Sequence, residues 1–263
     1  MKDRRSERRE ARWDRSPGWV IGLAVMTLAC GVSPIDHRIK LGEEPFVVFV
    51  GEGNDQNTDL FTTTTAGGEV YQLTFTRVIE RAPALDHRGG MVAFLRMRDT
   101  LPGTRRDLVI MSLETGAEKT FSLPAAAGVP RAIGWSADDR TVYLRADGGL
   151  WGAAIATSGE AVASVSEADT LMASQATAVW LGQPPFAQAI PCPTGLCVIG
   201  PRHDTAALSA SGHDPMRWGR DSVAWFEGDE IVVRPLGAGR ARRVVLKGAP
   251  ANAREGRMSG GGR

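Results

Sequence analysis

The sequence predicts an all-β protein, a β-propeller of about five four-stranded blades, from three observations. A strand–turn–strand unit returns at a loose period of about 40 residues. Its runs are short, rich in Val, Ile, Phe, Trp and Thr, and bounded by Gly, Asp, Asn or Pro. Helical periodicity is hard to find over a comparable window.

The opening unit is the clearest. Phe46-Val47-Val48-Phe49-Val50 reads as a strand, and Asp59 to Thr74 reads as strand, tight turn, strand around Gly67-Gly68. The units align on their third strand, at Leu60-Phe61, Leu108-Val109, Leu150-Trp151, Leu196-Cys197 and Ile231-Val232. Successive anchors are 48, 42, 46 and 35 residues apart, a scatter expected where insertions fall in loops. The second unit supplies Ala82 to Leu85, Met91 to Met97, Asp107 to Leu113 and Lys119 to Leu123. The third supplies Ala132 to Trp135, Thr141 to Arg145, Leu150 to Ile155 and Ala161 to Val165. The fourth is the most degraded and runs from Ala178-Val179-Trp180 to Val198. The fifth supplies Met216 to Trp218, Ser222 to Phe226, Glu230 to Pro235 and Arg242 to Leu246. Unit one lacks a first strand of its own. Arg38-Ile39-Lys40-Leu41 is the expected donor, and 248–263, rich in Gly, Ala and Arg, is expected to be a disordered tail. A six-bladed or an incomplete ring are the alternatives to five blades.

The turns carry a resemblance. Trp135-Ser136-Ala137-Asp138-Asp139-Arg140-Thr141-Val142-Tyr143-Leu144 resembles the W-S-P-D-G-x-x-I-A-F signature of TolB-type, WD-like propeller repeats. Leu85-Asp86-His87-Arg88-Gly89-Gly90-Met91-Val92-Ala93-Phe94 is similar, with Pro83 where the family places its proline, and Trp218 to Trp225 is a shortened version. Asp59 to Thr74 resembles D-I-Y-x-x-x-x-x-G-G-x-x-x-x-L-T. A large apolar residue closes one strand, Asp or Gly turns the chain, and a β-branched residue opens the next. The resemblance covers roughly 45–247 and implies a propeller, six-bladed in TolB itself. It also implies docking in the bacterial envelope, where TolB partners peptidoglycan-associated lipoprotein and the Tol machinery.

The N-terminus reads as an export signal, residues 1–29. Residues 1–16 carry seven Lys/Arg against four Asp/Glu, and Trp19 to Ala29 is an apolar run of eleven, too short for a stable bilayer span. Ala29-Cys30-Gly31 resembles the lipobox of bacterial lipoproteins, with Thr27 where that family prefers Leu. The resemblance implies lipidation of Cys30, a linker over 30–44 and a periplasmic, membrane-anchored protein; ordinary cleavage near Ala29 and an uncleaved anchor are the alternatives. Cys192 and Cys197, flanking Pro193-Thr194-Gly195, then form an even pair suited to a disulfide across a hairpin, two free thiols being the bland alternative. No second Cys or His pair stands at zinc-ligand spacing. From Cys30 onward the chain holds 24 Lys/Arg and 26 Asp/Glu, so no basic face for nucleic acid is implied.

Few motifs carry chemistry. Asp55, Asn57 and Asp59 alternate like the start of a calcium loop, but the glycine and the closing glutamate are missing, so a solvated loop is the better reading. Every histidine adjoins an aspartate: Asp36-His37, Asp86-His87, His203-Asp204 and His213-Asp214. Such pairs could orient a general base, yet turns also demand aspartate. There is no G-x-S-x-G nucleophile elbow. Trp135, Trp151, Trp180, Trp218 and Trp225 could stack on sugars, but at repeat-equivalent strand sites inter-blade packing is the default. The expectation is a non-catalytic lipoprotein without a cofactor, whose propeller binds envelope proteins and meets the membrane only through its lipid. A carbohydrate-binding or carbohydrate-acting propeller is the alternative, for which Asp138, Asp139, Asp147 and Asp221 are a thin supply of carboxylates. A shortened array serving as a spacer is the third reading.

Overall fold

Because the repeat units are apolar on both strand faces, each sheet needs neighbours, and among the described residues blades one, two and five are packed on both faces. The computed structural model describes residues 35, 38–53, 57–101, 103–136, 138–156, 162–164, 179–183, 186–199, 205–219, 222–235 and 239–259. At 131, 179–183, 186–191, 199 and 205 the backbone alone is described. All these residues belong to one compact unit, Gly31–Arg263. The export signal and Cys30 lie outside the described residues.

Blade one contains β1 (Phe46–Glu52), β2 (Thr58–Thr64), β3 (Gly68–Glu69) and β4 (Tyr71–Gln72). Blade two contains β5 (Ile79–Leu85), β6 (Met91–Met97), β7 (Arg106–Ser112) and β8 (Glu118–Ser122). A short 3-10 turn at Ala125–Ala127 leads to blade three: β9 (Pro130–Trp135), β10 (Thr141–Ala146), β11 (Gly149–Ala154) and β12 (Ala163–Ser164). Blade four is β13 (Val179–Gln183), β14 (Phe186–Cys192), β15 (Gly195–Ile199) and β16 (Thr205–Ser209). Blade five is β17 (His213–Trp218), β18 (Ser222–Glu227), β19 (Glu230–Pro235) and β20 (Arg242–Lys247). The last strand is β21 (Arg254–Met258).

Blades two to five are antiparallel meanders in chain order, whereas blade one reads β21-β1-β2-β4. The short β3 leaves its own blade and pairs parallel with β20, extending the outer edge of blade five. Inner strands of neighbouring blades lie against one another: β21 on β5, β5 on β9, β13 on β17 and β17 on β21. All five anchor residues fall on third strands, and Leu60, Leu108, Leu150, Leu196 and Ile231 are all buried.

The core is a set of layers between blades. Val48 and Val50 of β1 face Val92 and Phe94 of blade two. Val47 and Phe49, on the other face of the same strand, meet Met216, Phe226 and Ile231 of blade five. Blades two and three share Leu95, Leu108, Phe121, Ile133, Trp135 and Leu144. Leu196 and Val198 of blade four pack against Val223, Trp225 and Val232 of blade five.

Two expectations about ring closure are corrected. Of the expected disordered tail 248–263, the described residues as far as Ser259 hold a strand: β21 pairs antiparallel with β1, Val47 opposite Met258 and Val50 opposite Arg254. Its flanks are anchored as well, since Ala253 and Ser259 are buried and Ser259 exchanges hydrogen bonds with Phe46. Arg38-Ile39-Lys40-Leu41, the expected donor, is a turn. Its isoleucines explain why: Ile35 and Ile39, four residues apart, both enter the layer between blades one and two, and Ile39 N–H bonds the Ile35 carbonyl. That spacing suits a helical turn and would put them on alternating strand positions of one face only if the segment were extended past Ile35.

Two outcomes follow for stability. Deleting 251–263 removes β21 and bares the edge of β1, so the cooperative thermal transition should be lost or replaced by aggregation; an unchanged melting curve would show that the ring closes otherwise. Gly89, in the β5–β6 turn, has φ 70° and a Cβ there would stand 3.1 Å from Ser259 Cβ and 3.4 Å from Phe46 Cε1. Gly89→Val should therefore lower stability by about 2 kcal/mol or more, and Gly89→Ala by less, in denaturant titrations.

Candidate functional site

Strands alternate in direction, so the starts of all five inner strands share one end with the loops joining second to third strands. That end is the front; the turns joining first to second strands form the rear. Among the described residues the front gathers most of the paired charges.

Three inner strands carry the same irregularity there. Ala82, Asp214 and Glu255 sit in left-handed backbone, at φ 53°, 48° and 55°, each where pairing with the second strand slips. Such a bulge re-aims a side chain at the cost of local strain. Bonds between blades hold it. The Asp214 carboxylate accepts the Glu255 N–H. Glu255 in turn accepts the Ala82 N–H at 2.5 Å and the Arg81 guanidinium at 2.5 and 2.9 Å. Blade five is thus tied to one, and one to two, through successive bulges. His213 Nδ1 lies 3.0 Å from Asp214, and its ring stacks on Phe226. Burial pushes the Asp214 carboxyl up, but His213, the Glu255 N–H and nearby Arg257 more than offset it and hold it below its ordinary value. Burial depresses the Arg257 guanidinium, with Glu255 and Asp214 opposing.

A second cluster joins blades one and two. Glu80 is fully buried. One carboxylate oxygen accepts Arg96 Nε at 2.8 Å and the other accepts the Thr74 hydroxyl. Arg96 continues as a fork onto Glu118, at 2.7 and 2.8 Å. Thr58 Oγ donates to the Glu80 carbonyl at 2.7 Å and accepts its N–H at 3.0 Å. Burial raises the Glu80 carboxyl above its usual range despite Thr74 and Arg96. Arg96 stays charged: burial disfavours the cation, but Glu118 and Glu80 outweigh it.

The sequence-flagged residues take other roles. Asp59 is turned inward, accepting Gln72 Nε2 and the Thr76 N–H at 3.0 Å each. The Asn57 carbonyl accepts the Gly53 N–H, and Asp55 lies outside the described residues. No group of three or more side chains able to hold a metal ion is found among the described residues. At the rear, Asp86 closes its own turn by accepting the Met91 N–H, while His87 pairs with Asp139 of the next blade, Nδ1 to Oδ1 2.6 Å. Asp138 accepts the Ser136 hydroxyl and Arg140 N–H of its own turn, which hold it low. Asp36, His37, His203, Asp204 and Asp221 lie outside the described residues. Trp135 and Trp218 are core residues; Trp135 Nε1 also donates to the Ala84 carbonyl across the blade junction. Trp225 is buried and donates to Glu227, and half-buried Trp151 packs on the layer between blades two and three. The Trp180 side chain is outside the description. Cys192 and Cys197 are disulfide-bonded across the β14–β15 turn, Cα atoms 5.9 Å apart.

Glu80, Arg96, Glu255 and Arg81 escape sequence reasoning. Arg96 is marked only as a charge set inside an apolar strand run, Phe94-Leu95-Arg96-Met97, and Glu255 not at all; partners up to 174 residues away leave no local trace.

No family model matches the chain, and no curated protein does. Among solved structures it is similar to TolB from Acinetobacter baumannii, at 10% identity and TM-score 0.43, over 84% of this chain and 67% of that one. A putative TolB from Agrobacterium tumefaciens is similar at 12% identity and TM-score 0.37, over 75% and 60%. The Niastella koreensis GH74 enzyme is similar at 11% and 0.35, over 80% of this chain and 38% of the other. The chain thus spans about two thirds or less of their lengths, and the likeness is one of fold. The sheet order is that of a β-propeller.

Glu80 gives a pH test. Its folded carboxyl holds a proton more tightly than the unfolded one, so stability falls as pH rises from the unfolded value through the folded one. Arg96→Met strands that carboxylate and should cost about 3–5 kcal/mol at pH 7, with part of the loss recovered at pH 5. An equal loss at both values would mean that Arg96 acts by packing alone.

Proposed function

We propose that the protein is a non-catalytic docking module of the bacterial envelope, exported by residues 1–29 and held to a membrane by lipid on Cys30. One observation carries the docking reading. Carboxylates at the front are spent on neighbouring cations: Glu255 on Arg81, Asp214 on His213, and Glu80 on Arg96. The Arg81–Glu255 pair ties blade two to blade one and the other two brace their own blades, so a general acid or base would have to be taken from structural bonds. A rigid ring that spends its charges internally offers its connecting loops to solvent, and loops on a rigid scaffold are where proteins place recognition. A front face of several blades also suits an interface of ordinary size.

The anchor rests on Ala29-Cys30-Gly31 after an apolar run of eleven residues. Among the described residues no helix is long and apolar enough to cross a membrane. Cys30→Ala should move the protein from the membrane to the soluble fraction with its β-type circular dichroism unchanged; undiminished membrane retention would refute the lipid anchor. In intact cells, a bifunctional cross-linker should shift the wild-type protein to discrete heavier species. A protein that stays monomeric under that treatment would argue against docking.

A further inference from the structure

Four large hydrophobic residues are exposed among the described residues: Phe75 (79%), Leu101 (65%), Val245 (52%) and Val129 (41%). Three of them share the front of blades one to three. The register fixes two. Ile79 pairs with Met97 at the front edge of blade two; Phe75 stands four residues before Ile79, and Leu101 four residues after Met97. Val129 immediately precedes β9, which lies against β5, and its carbonyl accepts the Asp147 N–H. Phe75 is therefore not a loose tip. It sits between Thr74, bonded to Glu80, and Thr76, bonded to Asp59. Leu101 is likewise fixed, its N–H on Asp99 and its carbonyl accepting the Thr104 N–H and Arg106. Backbone held in this way need not be ordered again when the side chains are covered.

Both signs of charge lie around them, but the carboxylates are engaged. Segments 75–81 and 98–107 hold five arginines against three carboxylates. Glu80 is buried with Arg96, Asp99 is bonded within its own loop and Asp107 pairs with Arg105, while Glu255 beyond these segments is held by Arg81 and Asp147 lies beside the Val129 loop. Arg98 is exposed and makes no side-chain hydrogen bond or ion pair among the described residues. Arg105 is exposed at the outer side of the same loop, on Asp107.

From this juxtaposition we infer that the front of blades one to three is a docking surface for an acidic protein segment with apolar side chains at intervals, its carboxylates meeting Arg98 and Arg105 and its apolar groups covering Phe75, Leu101 and Val129. The inference rests on the docking reading and names the partner's chemistry. Apolar anchors give such a contact its affinity, and the arginines give it orientation and salt dependence.

The test uses the full chain. In detergent, a labelled peptide alternating glutamate with leucine and phenylalanine should bind and weaken as salt rises. A glutamate-only peptide and a lysine-for-glutamate counterpart should bind at least about tenfold more weakly. Phe75→Ser and Arg98→Glu, both at exposed sites, should each weaken binding about tenfold with the melting temperature unchanged. No binding, or binding indifferent to both substitutions, overturns the inference. In cells, a photo-cross-linking residue at 75 or 101 should form adducts that the acidic-apolar peptide displaces after permeabilisation. The same residue at 88 or 140, at the rear, serves as control. Adducts at the rear alone would overturn this surface and leave docking intact, whereas adducts at neither end would remove both. Adducts with the mass of two copies of this chain would assign the surface to self-association and overturn it as well.

Discussion

Blades one, two and five are apolar on both faces, and that constraint governs the rest of the molecule. In β1, Phe46, Val48 and Val50 look toward blade two while Val47 and Phe49 look toward blade five, and all five are buried. A sheet of this kind cannot end in water, because an uncovered face would expose several side chains each worth about 1.5–3 kcal/mol of burial. Every blade must be covered by the next. Blade one obtains its inner strand from the far end of the chain for the same reason: β21 covers the edge of β1 and carries Ala253 and Met258 into the layer shared with blade five. The parallel pairing of β3 with β20 fastens the same junction from outside.

Several polar groups inside such a ring are satisfied by two blades jointly. Glu80 and Arg96 meet within blade two, but the hydroxyls of Thr74 and Thr58 come from blade one. Glu255 is bonded by the Arg81 side chain and the Ala82 N–H of the neighbouring inner strand. Each arrangement fills donor and acceptor sites that burial would otherwise make costly. The left-handed residues at the inner bulges persist because these cross-blade bonds over-determine them. Chemistry at the front is thereby committed to architecture.

How much was legible in the sequence follows from the same constraint. Third strands declared themselves because burial on both faces leaves a near-continuous apolar run, as in Leu108-Val109-Ile110-Met111. The turns were legible because a tight reversal restricts residue type, as Gly89 with its positive φ illustrates. β21 was not. Arg254-Glu255-Gly256-Arg257-Met258 has neither alternation nor β-branched residues, and its extended form is imposed by the partner strand and by Ser259 on Phe46. Arg38 to Leu41 misled in the opposite sense, since Ile39 and Leu41 alternate like a strand while Ile35 and Ile39 are the pair that packs. Adjacency misdirected the reading of the histidines too: His87 stands beside Asp86, yet its partner is Asp139, 52 residues on, because the repeat brings equivalent turns together in space.

Chain direction finally separates the two ends of the ring. β1 begins at the rear with Phe46, beside Gly89 of the rear turn and Ser259 at the end of β21. The chain before it therefore joins the ring at the end opposite the second-to-third-strand loops, and the closing strand also finishes at the rear. Phe46 and Ser259 thus lie at the rear, whereas Phe75 and Leu101 are exposed at the front on backbone that is itself bonded down. An apolar side chain kept in water on a fixed loop has a cost and no internal use, whereas the same residue one blade inward, such as Phe94 or Phe121, is fully buried. The sequence had the means to bury aromatics throughout this fold, and at the front of blade two it presents one.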